Sequence, residues 1–65
     1  MRLNLVLDTD NAAFDGDALG PEVSRILIKY ANAIKTVSDP DTSIDLETML
    51  RDTNGNKVGY VKWII

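Results

Sequence analysis

The longest periodic stretch of the chain is residues 21–37, PEVSRILIKYANAIKTV. At about 100° per residue, Val23, Ile26, Leu27, Tyr30, Ile34 and Val37 gather into one apolar stripe. Glu22, Arg25, Lys29, Asn32, Lys35 and Thr36 fall opposite, so the pattern predicts a helix lying on a core. Pro21 suits a first helical position, where its missing N–H has no partner to lose, and this makes Gly20 the expected N-cap. Ile28 breaks the pattern, about 140° around the wheel from Val23 and inside the polar arc. It reads either as a lone exposed isoleucine or as a contact point with a second chain.

Two stretches alternate with the period of a strand. In residues 2–8, Leu3, Leu5 and Leu7 point one way, and Arg2, Asn4, Val6 and Asp8 the other. Residues 44–65 read as a hairpin around Asn54-Gly55, a pair suited to a two-residue turn with positive φ at both positions. That register sets Asp52 opposite Lys57 and Glu47 opposite Lys62. It also places Leu50, Thr48, Leu46 and Ile44 against Gly59, Val61, Trp63 and Ile65 on one apolar face. A longer loop over residues 52–56 keeps a similar pattern. Between strand and helix, residues 9–20 are rich in Asp, Asn and Gly, which favour turns, and Phe14 is the expected plug of the core end. Residues 38–43 read as a turn that Pro40 closes to helix.

The expected architecture is α+β, a single β-α-β-β domain over residues 1–65 with one helix packed on a three-stranded, mostly antiparallel sheet. The C-terminal strand is the most apolar and belongs in the middle. A parallel pairing of the first two strands is the alternative. One helix covers one face only. The other face carries Val6, Met49, Val58, Tyr60 and Ile64 beside Glu47, Arg51 and Lys62, too apolar for a freely solvated surface. Ile28, Met49, Val58, Tyr60 and Ile64 are therefore the candidate interface residues. Edge pairing of the first or second strand with a second copy is a further route to a dimer.

Composition narrows the classes of function. A chain of 65 residues buries only about 60% of the surface it exposes when unfolded. Cysteine and histidine are both absent, so no disulfide or thiolate metal site adds stability, and a homodimer is the favoured source of it. Ten acidic against seven basic residues give a net charge of −3, which argues against direct nucleic-acid binding. No apolar run reaches the roughly 20 residues of a membrane span, and the expected location is the cytoplasm.

Candidate chemistry is sparse. The run LNLVLDTD, ending in Asp8 and Asp10, resembles the first motif of haloacid-dehalogenase-type phosphotransferases, but Asn11 and Ala12 follow where that family has Gly-Thr. Asp8, Asp10, Asp15 and Asp17 form an acidic loop that reads as solvated rather than metal-binding. Asp52-x-Asn54-x-Asn56 echoes an EF-hand loop, yet Gly55 falls two positions early and Trp63 stands at the twelfth position in place of Glu. No serine has a histidine to activate it. Neither an enzyme nor a cofactor is expected.

The phrases TDNAAF (residues 9–14) and LRDTNGNKVG (residues 50–59), with a VSRIL-type helix between them, resemble a group of short proteins of tailed phages and prophages. The resemblance spans residues 9–59. It implies phage origin and a bacterial host. Compact, cysteine-free phage proteins of this size often bind and inhibit host machinery, so the expected function is stoichiometric inhibition of a host protein such as an anti-phage defence effector. Two alternatives stand beside it: a sponge for a nucleotide signal using Arg2, Arg25, Arg51 and Lys62, and a non-enzymatic virion or regulatory protein.

Overall fold

A computed structural model describes residues 1–37 and 46–64. Strand β1 (Arg2–Leu7) is followed by two short 3-10 turns, Ala12–Phe14 and Gly16–Ala18, then helix α1 (Leu19–Ile34), strand β2 (Glu47–Arg51) and strand β3 (Lys57–Ile64). The sheet order is β1-β3-β2, and β3 runs antiparallel to both neighbours. The domain is α+β, with the most apolar strand in the middle as its sequence requires. The turn expected over residues 38–43, and the strand positions of Ile44 and Ile65, lie outside the described residues.

The alternation of β1 sets its register. Leu3, Leu5 and Leu7 stand opposite Trp63, Val61 and Gly59, while Val6 stands opposite Tyr60. On the hairpin side Glu47 faces Lys62, Thr48 faces Val61 and Leu50 faces Gly59, as the charge pairing demands. The register then shifts between Leu50 and Arg51, so that Arg51, not Asp52, stands opposite Lys57. This irregularity leaves Val58 unopposed, and instead of lying on the open face it is buried in the core.

The turn also departs from the two-residue form. The Gly55 N–H donates to the Asp52 carbonyl at 3.0 Å, and the Asp52 N–H to the Asn56 carbonyl at 2.9 Å. Within this loop only Gly55 has positive φ, at 83°; Asn54 does not. A three-residue loop with glycine in the left-handed position meets both facts, and it twists the hairpin end towards the helix.

The core is Phe14, Ile26, Tyr30, Leu50, Val58 and Val61, with Leu7, Ala13, Val23 and Ile34 packed against it. Phe14 is the plug that its loop predicts. Trp63 Nε1–H donates to the Tyr30 hydroxyl at 2.9 Å, tying the helix to the central strand. Helix α1 starts two residues earlier than its proline suggests. The 3-10 turns deliver the chain to Leu19 already in helical conformation, with Ala18 rather than Gly20 at the cap and no side-chain capping bond. Pro21 still sits in the first turn, among N–H groups that have no intrahelical partner. Val37 lies past the helix end, its N–H donating to the Ile34 carbonyl at 3.0 Å. The buried line runs through Glu22, Ile26 and Tyr30 at four-residue spacing. Leu27, placed in the stripe by hydropathy, is turned out to the exposed flank.

Candidate functional site

Two regions carry the polar and exposed apolar chemistry of this chain: the face of the sheet away from the helix, and the end where the hairpin loop meets the first turn of α1.

On the open face, side chains from all three strands line up in rows. Val6, Tyr60 and Met49 make one row across β1, β3 and β2. Asn4, Lys62 and Glu47 make the next, and Arg2 and Ile64 a third. Val6 is 47% exposed, Met49 40%, Tyr60 37% and Ile64 42%. Three of the five candidate interface residues, Met49, Tyr60 and Ile64, thus share one surface. Ile28 does not join them, because it is exposed on α1, which covers the other face of the sheet. Val58 does not either, since the register shift turns it into the core.

At the hairpin end two carboxylates are buried, Glu22 and Asp52. Glu22 receives Arg25 in a two-pronged contact, Nε to Oε1 at 2.7 Å and Nη2 to Oε2 at 3.1 Å. The Thr53 N–H donates to the same Oε2 at 2.7 Å, so the helix grips the loop. Asp52 accepts at Oδ1 from the backbone N–H groups of Asn54 and Asn56, both at 2.9 Å. Its Oδ2 accepts from the side-chain amides of Asn11 at 2.9 Å and Asn56 at 3.2 Å. Asn11 in turn caps the first 3-10 turn, its Oδ1 accepting from the Ala13 N–H at 2.9 Å.

The electrostatics follow from these partners. The Arg25 hydrogen bond holds the Glu22 carboxyl below its ordinary value against the cost of burial, with help from the Thr53 N–H. Burial pushes the Asp52 carboxyl up, and its bonds from Asn56, Asn11 and Asn54 together overcome this and leave it lowered. Both groups are charged at neutral pH, and each of their oxygens has at least one donor. Among the described residues no buried side-chain nitrogen or oxygen lacks a partner.

The Asp52 carboxylate of the EF-hand echo is engaged by donors of the chain itself. The N–H groups of Asn54 and Asn56 aim donors at the Asp52 oxygen where a cation would need acceptors. The haloacid-dehalogenase likeness fails on topology. That family carries its first motif at the end of a strand in a doubly wound sheet, whereas Asp8 follows an edge strand of an antiparallel one. Asp8, Asp10, Asp15 and Asp17 are all exposed, and the Asp8 carboxylate serves the local turn by accepting the Asp10 N–H at 3.0 Å. Among the described residues no three acidic side chains converge into a group able to hold a metal ion. A shallow open depression lies beside this loop, lined by Asp8, Asp10, Asn11, Lys57, Val58 and Gly59.

Hydropathy alone misses Glu22, because a charged residue counts as solvent-facing wherever it falls. The usable signal is its four-residue spacing to Ile26 and Tyr30, together with Asn11, Asp52, Asn54 and Asn56 in two separate loops. The two phrases at residues 9–14 and 50–59 are joined by the Asn11–Asp52 hydrogen bond.

The chain matches no family model, and no curated protein or solved structure is significantly similar to it. Among the described residues no helix is long and apolar enough to cross a membrane.

Proposed function

We propose that this chain acts by stoichiometric binding to a host protein, with the open sheet face as its contact surface. The observation that carries the reading is the exposed Val6–Tyr60–Met49 row spanning all three strands. Contiguous exposed apolar surface on a small protein marks association. Tyrosine and methionine at the centre with Lys62 and Glu47 beside them is the composition of an interface core and its rim. The acidic loop of Asp8, Asp10, Asp15 and Asp17 supplies charge that steers encounter with a basic partner more than it adds affinity.

The resemblance to short tailed-phage proteins supplies the kind of partner: a bacterial protein such as an anti-phage defence effector, inhibited by occlusion in the host cytoplasm. Met49, Tyr60, Ile64 and Val6 all lie outside the two phrases that carry the resemblance, which instead build the buried polar end. The phrases therefore describe a scaffold, and the face it holds out is free to suit its own target. The nucleotide-sponge alternative draws less support, because Arg25 is engaged by Glu22 and Arg51 Nη1 donates to the Gly55 carbonyl at 3.1 Å.

Capture from host lysate at micromolar concentration tests the reading. The chain retains one partner at a fixed ratio, and Met49→Lys abolishes retention while the melting temperature holds. Failure to retain any protein, or equal retention by Met49→Lys, contradicts it.

A further inference from the structure

The two edges of the sheet are not alike. The outer edge of β2 is engaged at its end, where the Arg51 carbonyl accepts from Arg25 Nη2 at 3.3 Å. Covering an edge strand with groups from another element is one usual protection of it. Among the described residues the outer edge of strand β1 has no such contact. It runs six residues without proline or bulge and with Arg2 as its one charge, and Leu3 and Leu5 remain 43% and 38% exposed although they lie on the helix-bearing face.

The backbone of β1 specifies what fits there. The Asp8 N–H donates to the Val58 carbonyl at 2.7 Å, which places Asp8 and Val58 in a hydrogen-bonded pair. Such pairs alternate along an antiparallel ladder, so Arg2, Asn4 and Val6 also turn their N–H and C=O towards β3. Leu3, Leu5 and Leu7 turn theirs outward, to the free edge.

We infer that a second copy of this chain joins the β1 edge in a two-fold antiparallel register centred on Leu5, making one continuous six-stranded sheet. In this register Leu5 meets the partner's Leu5 and Leu3 meets the partner's Leu7, so every outward N–H and C=O of the three leucines pairs across the join. The half-exposed Leu3 and Leu5 of both copies close into one apolar band on the helix side. Arg2 comes opposite the partner's Asp8 at both ends of the band, two opposite-charge pairs related by the two-fold axis. The neighbouring registers lose this match. Centring on Asn4 puts Arg2 against the partner's Val6, and centring on Val6 leaves Arg2 beyond the paired segment. This inference does not rest on the proposed function. The join uses the edge, and the Val6–Tyr60–Met49 rows of the two copies stay free on the same side of the enlarged sheet.

The mass of the full chain in solution, measured by sedimentation equilibrium across a concentration series, tests it. The wild type is expected at about twice its 7.2 kDa. Leu5→Lys sets two like charges on the axis, and Arg2→Asp sets like charges at both ends; each is expected to weaken dimerisation by about tenfold or more. The exchanged double variant Arg2→Asp with Asp8→Arg restores affinity to within about threefold of wild type. These positions are exposed, and circular dichroism checks that each variant folds. A wild-type monomer throughout the series overturns the proposal. So does a dimer that withstands either single substitution, or one broken only by Met49→Lys on the open face. An exchanged variant that folds but stays monomeric overturns the register.

Discussion

The hairpin end and the open sheet face treat their chemistry in opposite ways. At the hairpin end two buried carboxylates accept seven hydrogen bonds from within the chain, and each carboxylate oxygen has a partner. On the open face Val6, Met49, Tyr60 and Ile64 stand exposed in a molecule whose core, among the described residues, holds six buried apolar ones. The difference separates scaffold from surface. A polar cluster satisfied from within fixes geometry, whereas covering an apolar face that the fold leaves exposed lowers the free energy.

Substitutions break this contrast in a definite order. The largest effect is expected for Gly59→Ala. A methyl group there would fall on the Val6 carbonyl oxygen and close to the Leu7 backbone, so β1 must move off β3. The loss is on the order of 3 kcal/mol, comparable to the whole stability of a core this size, and chemical denaturation will show a largely unfolded population at neutral pH. The open face goes with it, because Val6 leaves the row.

Asp52→Ala comes next. It strands the donors of Asn11, Asn54 and Asn56 and unties the loop from the 3-10 turn, lowering the melting temperature by on the order of 10 °C. Acid probes the same cluster without mutation. Glu22 and Asp52 both have folded values below their ordinary 4.5 and 3.8. Unfolding at low pH therefore takes up protons, and the stability these groups contribute is complete above those ordinary values and is lost as pH falls through the lowered ones. Melting temperature is expected to stay level from pH 7 to about 5 and to fall below about 4.5. In Glu22→Gln the fall is shallower, because one of the two linked groups is gone. The smallest effect on stability belongs to the open face: Met49→Lys shifts unfolding free energy by no more than about 0.5 kcal/mol, while partner capture is lost. A large destabilisation there would mean that the face is part of the scaffold after all.

Much of the fold was legible because side-chain period and charge pairing act locally. The alternation of Leu3, Leu5 and Leu7 and the Glu47–Lys62 pair set the register of β1 and β2 against β3. What escaped depends on contacts between distant segments. Glu22 is buried only because Arg25 and the Thr53 N–H wait for it, 31 residues away in the second case. Val58 leaves the open face only because the three-residue loop displaces the register at Arg51. Helix α1 begins at Leu19 because two 3-10 turns precede it, a feature that cap preferences do not encode. Where the ladder is regular, Met49, Tyr60 and Ile64 share the face that the alternation predicts, and where it is not, Val58 leaves it.

The most direct test compares two variants in one capture experiment: Tyr60→Lys, at the centre of the exposed row, and Asp17→Asn, in the acidic loop. If the open face is the working surface, Tyr60→Lys retains no host partner while Asp17→Asn retains it with slower association. Retention by Tyr60→Lys at the wild-type ratio would contradict the account.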